Sequence, residues 1–149
     1  MEYPKAKKKK KAVSDGYMLA LWRQAVKAYW FGPMRDVTQN IWKAMEADGA
    51  PLNSTMVIEC HHIIKRIQFC TRYDYRNGFP LPKNLHDWVG GHSLRSTNIF
   101  LRLHPFYNYL RERQGQLKPD FLRGLGLSEN EYRISIKKEL TDIVKSCSM

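Results

Sequence analysis

Glu59-Cys60-His61-His62-Ile63-Ile64-Lys65-Arg66, then Arg76-Asn77-Gly78-Phe79-Pro80-Leu81, then Leu85-His86-Asp87-Trp88: these three runs decide the reading of this sequence. Residues 55–60, Thr-Met-Val-Ile-Glu-Cys, are short and carry β-branched side chains, which predicts a strand leading into the paired histidines. Neighbouring side chains on extended chain point to opposite faces, so His61 and His62 can do two different jobs. The segment from Asp74 to Asn84 is dense in turn residues, with Asn77-Gly78, Pro80, Pro82 and Asn84. Leu85-His86-Asp87-Trp88 predicts the opening of a short helix with Asn84 as its N-cap, ended or bent by Gly90-Gly91.

Three of the five histidines fall in this window, and His92 lies just beyond it. One imidazole can hold a metal while its neighbour addresses a water, and a third at a helix start can approach the metal from another side. Phosphodiester hydrolysis needs such a division of labour. A divalent cation relieves charge on the phosphate and the leaving oxygen as a Lewis acid. A neutral histidine can take the proton of the attacking water as general base. Arg66, Arg72, Arg76 and Lys65 flank the window and predict a clamp on the phosphate backbone. The plain alternatives are a hairpin turn at Asn77-Gly78 and a solvated basic loop.

In order and spacing these residues resemble the HNH (ββα-metal) endonuclease family, especially its small phage and bacterial members. The likeness lies in a strand ending in His61-His62, an Asn77-Gly78 turn, and His86 opening a short helix nine residues after Asn77. The resemblance implies that His61 and His86 are metal ligands and that His62 is the general base. It implies that Asn77 braces the loop through hydrogen bonds to backbone. It also implies 5′-phosphate products from double-stranded DNA and one divalent ion, with Mg, Mn, Ni and Zn not distinguished. The family often places another ligand one helical turn after the last histidine; that position is Gly90 here, so a third ligand is expected from Asp87 or His92. The paired CxxC motifs of many relatives are absent. Pro82 and Leu85 stand where one pair would flank the turn, and packing must replace their zinc.

The flanks read as helices. Met18, Leu21, Trp22, Ala25, Val26 and Tyr29 recur at three- and four-residue steps between an Asp15 cap and a Gly32-Pro33 stop. A second helix is expected from Pro33 to Ala47. Short helices are expected at 105–111, closed near Gly115, and at 119–123, closed by Gly124. Ser128 and Glu131 have capping-box spacing at the head of a final helix with an apolar stripe at Tyr132, Ile136, Leu140, Ile143 and Val144. The fold class expected is therefore α+β and mostly helical: a β-hairpin plus short helix embedded among flanking helices. Residues 1–14 are expected to be a disordered basic arm and residues 15–149 a single domain.

The 149 residues are 43% hydrophobic and 12% aromatic, enough for one folded domain with a modest core. Twenty-five Lys and Arg against 14 acidic residues leave a net charge of +11, which favours a polyanionic partner, nucleic acid first. No stretch has the apolar length that spans a bilayer, and Ala12-Val13-Ser14-Asp15-Gly16 is not a signal-peptide core. A cytoplasmic protein is expected, or a nuclear one in a eukaryote. Cys60, Cys70 and Cys147 form no CxxC pair, which argues against a disulfide framework and an all-cysteine zinc site. The competing readings are a catalytically degenerate DNA- or RNA-binding module and a phage accessory protein docking by its C-terminal helix. A monomer would nick one strand and a dimer could cut both; the oligomeric state stays open.

Overall fold

The computed structural model describes residues 12–51 and 57–147. The lysine run, Thr55 and Met56 lie outside the described residues. Among the described residues, eight α-helices and two strands follow one another as α1 (Asp15–Phe31), α2 (Arg35–Ala47), β1 (Ile58–His62), α3 (Phe69–Arg72), a 3-10 turn (Tyr75–Asn77), β2 (Gly78–Pro82), α4 (Lys83–Gly91), α5 (Ser93–Leu103), α6 (Tyr107–Arg113), α7 (Lys118–Leu125) and α8 (Glu129–Cys147). The fold is α+β and mostly helical, with one two-stranded antiparallel sheet. No described helix is long and apolar enough to cross a membrane.

The first helix is the spine of the core. Met18, Leu19, Trp22, Ala25, Val26 and Trp30 are all buried, a stripe wide enough to meet α8, α2 and β2. Its N-cap is Ser14, whose Oγ accepts from Tyr17 N at 3.1 Å, rather than the expected Asp15. Asp15 starts the helix instead, and its carboxylate accepts from Arg66, Arg72 and the Tyr73 hydroxyl. Val13, expected within the arm, is held by Asn130 Oδ1 and by the Arg133 guanidinium. The capping box at α8 forms in both directions: Glu131 N donates to Ser128 Oγ and Ser128 N donates to Glu131 Oε1.

The sheet pairs Ile58 with Pro82, Cys60 with Pro80, His61 with Phe79 and His62 with Gly78. Two prolines are tolerated in β2 because of where they fall. Ile63 N donates to Asn77 O and Lys83 N to Val57 O, so odd-numbered positions of β2 face β1. Pro80 and Pro82 therefore lack an N–H only where no ladder bond would form. The outward-facing Pro80 carbonyl accepts from the Trp42 indole at 2.9 Å.

Gly78 begins a strand and is not part of a tight hairpin turn, because residues 63–77 separate the strands. A Cβ there would lie 2.2 Å from Val26 Cγ2 and 2.6 Å from Trp22 Cζ2. The glycine lets the strand approach α1.

Four boundaries differ from expectation. The fourth helix starts at Lys83 behind Pro82 and carries no side-chain cap; Asn84 lies inside it and donates to Pro51 O. That helix runs through Gly90 and Gly91, and α5 follows after His92, where no helix was expected. The glycines cost helix stability, but Trp88 and Val89 beside them are buried and hold the turn by packing. The seventh helix closes at Gly126, which has φ of +69°, rather than at Gly124.

Candidate active site

The alternation of β1 sorts its side chains onto two faces. Cys60 and His62 meet α1: the His62 ring stacks on Trp22, with centroids 3.9 Å apart and planes within 8°, and Cys60 Sγ contacts Arg23 O. Glu59 and His61 face α4 and α5. The His61 ring lies 5.2 Å from that of His86 and 6.1 Å from that of Phe100. Two imidazoles from separate elements thus meet, with His61 Nδ1 3.3 Å from His86 Nε2.

Glu59 fixes the chemistry of that pair. Its Oε1 lies 3.3 Å from His86 Nδ1, so Nδ1–H of His86 donates to the carboxylate and Nε2 points toward His61. Two imidazole nitrogens at this spacing need either a proton or a cation between them. Nitrogens sharing one cation at ordinary bond lengths stand about 3.0–3.4 Å apart, so the pair fits a shared ion. A carboxylate behind a ligating imidazole is also a common orienting device. Burial, followed by the neighbouring His86 and His62, lowers the His61 pKa to about 4, so its ring is neutral at pH 7. Among the described residues, no set of three or more His, Cys, Asp or Glu side chains converges as a metal cage. The pair supplies two nitrogens; water and phosphate oxygens would complete a coordination sphere.

His62 is held as one tautomer. Its Nε2 lies 3.1 Å from the Arg72 carbonyl, which can only accept, so the proton is on Nε2 and the lone pair is on Nδ1. Burial lowers its pKa to about 4; the Arg72 carbonyl opposes this, and Arg66, Arg23 and Arg72 add to it. The loop that carries Arg72 is clipped by Asn77. That residue is fully buried; its Oδ1 accepts from Ile64 N, and its Nδ2 donates to Ile64 O and Thr71 O. The Trp22 indole donates to Asp74 O and ties the same loop to α1.

Asp87 and His92 have partners elsewhere. Asp87 pairs with Lys83 on the exposed side of α4. His92 stacks on Trp88, with Nδ1 2.9 Å from the Trp88 carbonyl. Lys65 is exposed. Arg66 and Arg72 share Asp15, and only Arg66 is largely exposed. Arg76 turns inward: it makes two hydrogen bonds to Asp74, and its guanidinium stacks 4.0 Å from the Tyr109 ring. It braces the loop instead of offering a free phosphate contact.

Sequence reading placed Trp22 in the stripe of the first helix but gave neither it nor Glu59, Arg23 or Lys27 a role at the site. Glu59 was findable, since it stands two residues before His61 and so shares its face. Arg23 and Lys27 are exposed on α1 one turn apart, and both act on the charge of the Cys60–His62 face. Nothing in the sequence locates them beside β1. Compared with protein-family models, curated proteins and solved structures, the chain matches none.

Proposed function

We propose that this chain is a metal-dependent endonuclease of the HNH type that hydrolyses DNA phosphodiester bonds. The observation that carries the reading is the meeting of His61 Nδ1 and His86 Nε2 at 3.3 Å, on a strand whose next residue, His62, has its free nitrogen fixed as Nδ1. A divalent cation bound at this pair would supply Lewis-acid relief of charge on the phosphate and the leaving oxygen. Glu59 accepts from Nδ1–H of His86 and so orients that ring with Nε2 toward His61.

The His62 Nδ1 lone pair accepts the proton of the attacking water. As the new P–O bond forms, the bond to the 3′ oxygen breaks; that oxygen takes a proton from solvent and leaves as a 3′-hydroxyl, and the phosphate stays on the 5′ oxygen. Trp22 holds the plane of the base, and the Arg72 carbonyl holds its tautomer. A pKa of about 4 makes His62 a weak base in the free protein. Bound phosphates would offset the charge of Arg66, Arg23 and Arg72 and raise it toward neutrality, where a general base works best. Asn77 acts one step back, by fixing the loop.

The test is nicking of supercoiled plasmid in Mg²⁺, Mn²⁺ or Ni²⁺, with EDTA and His62→Ala as controls. Metal-dependent nicking lost in the variant supports the enzyme. A second reading, a DNA-binding module without hydrolysis, has support from Gly90, which stands where a further metal ligand is expected, while Asp87 pairs with Lys83 and His92 with the Trp88 carbonyl. Tight binding with no cleavage in any metal selects it.

A further inference from the structure

Two turns lie side by side next to the loop that carries Arg72. Gln68 N donates to Lys65 O, closing a turn with Ile67 at its tip. Gln68 Oε1 accepts from Gly115 N, which joins that turn to the Gly115–Lys118 segment. Between them is a groove of about 280 Å³, with Phe69 beneath and Ile67, Leu117, Arg72 and Lys118 around it. Ile67 is 79% exposed and Leu117 67% exposed.

Neither aliphatic residue serves the fold. A turn tip normally carries polar or small residues. Leu117 is the N-cap of α7, a position where Ser, Thr, Asp or Asn would accept a backbone N–H; here no side chain caps the helix. The surroundings are cationic: Lys65 and Arg66 share the first turn, and Arg72 and Lys118 lie over the Phe69 ring at 5.8 and 4.8 Å. Asp15 and Glu129 pair with some of these cations but leave an excess of positive charge. A surface that met only phosphates would need the cations and not the two aliphatic tips. Nucleic acid also offers apolar base faces, but only where a base has left its stack. The volume suits one base rather than a larger ligand.

We propose that this groove receives an unstacked nucleobase of the bound DNA, between Ile67 and Leu117, with Lys65, exposed on the same turn as Ile67, at the adjoining phosphate. The preferred substrate then carries an unpaired nucleotide. The inference rests on the DNA-binding part of the function proposed above. Arg72 links the two places, since its carbonyl holds His62 and its side chain lines the groove.

The experiment compares Kd for a short duplex containing one unpaired nucleotide with Kd for its fully paired counterpart, in EDTA so that nothing is cut. The wild type binds the unpaired form about tenfold more tightly, because that base costs least to extrude. Ile67→Ser/Leu117→Ser, both at exposed positions, brings the ratio to about one and changes paired-duplex affinity less than about twofold. Circular dichroism and the thermal midpoint establish that the double variant is folded. A wild-type ratio of one, a ratio unchanged in the variant, or equal loss on both duplexes overturns the proposal. So does a wild-type dimer that the double variant disperses, which would make the patch a contact between copies. A tenfold ratio without cleavage in any metal removes the nuclease reading alone; cleavage with a ratio of one removes the groove alone.

Discussion

Asn77→Ala is the perturbation whose consequence can be worked furthest. The side chain is fully buried and makes three hydrogen bonds to backbone, one accepted from Ile64 N and two donated, to Ile64 O and Thr71 O. Alanine leaves one buried N–H and two carbonyls without this partner. Thr71 O keeps the Asp74 N–H, so Ile64 N and Ile64 O are the two groups orphaned; at roughly 1–2 kcal/mol each the loss is about 2–4 kcal/mol, a large share of the stability of a domain this size. The thermal midpoint should fall by roughly 10 °C.

Asn77→Asp has nearly the same shape and separates packing from hydrogen bonding. An ionised aspartate at this position could still accept from Ile64 N but would turn negative oxygens toward two carbonyls. Its carboxyl would be driven well above the ordinary carboxylate range and stay protonated, so as to donate one bond. A folded-state pKa above the unfolded value gives stability at low pH that is lost as pH rises through the folded pKa. The gap between this variant and wild type should therefore be narrower near pH 4.5 than at pH 7.5. Urea unfolding of both variants and wild type at the two pH values measures this. A loss under about 1 kcal/mol for Asn77→Ala, or a pH-independent gap for Asn77→Asp, would refute the bracing role.

Other expectations follow from the same geometry. Gly78→Ala places a Cβ 2.2 Å from Val26 Cγ2 and should cost about 2–3 kcal/mol in urea unfolding; a neutral result would mean β2 can lift from α1 at no cost. Acid should destabilise the protein between pH 6.5 and 4. His61, His62 and His104 all have folded-state pKa values lowered to about 4, chiefly by burial, so the unfolded chain binds more protons in that window. His104, only 4% exposed, contributes up to about 3 kcal/mol, and His104→Phe should flatten the pH dependence seen in urea melts. Glu59→Gln should weaken Mn²⁺ or Ni²⁺ affinity about 10–100-fold by calorimetry while leaving the thermal midpoint of the metal-free protein nearly unchanged. A large drop in that midpoint would make Glu59 a structural residue.

The helical flanks were legible because periodicity and capping are local signals. The α8 capping box and the α1 stripe follow from spacing alone. So does the assignment of His61 and His62 to opposite faces. The cap of α4 was misread because Asn84 is an N-cap residue by type, whereas the sheet carries the chain straight from Pro82 into the helix. The helix at Ser93–Leu103 was missed because Gly90-Gly91 reads as an end, and only tertiary burial of Trp88, Val89, Ile99 and Phe100 overrides that signal. Arg76 reads as a free cation until Asp74 and Tyr109 are seen around it. Asp74 is two residues away and within reach of a local reading, but Tyr109 is 33 residues on, and no local pattern places it there.

The claim on which the rest depends is that His61 and His86 share one cation. Anomalous diffraction from crystals grown with Mn²⁺ or Ni²⁺ tests it most directly. A single peak in contact with both His61 Nδ1 and His86 Nε2, lost in His86→Ala, is the result expected. A difference map with no peak at this pair under saturating metal, or with its strongest peak at Asp87 or His92, would contradict the account.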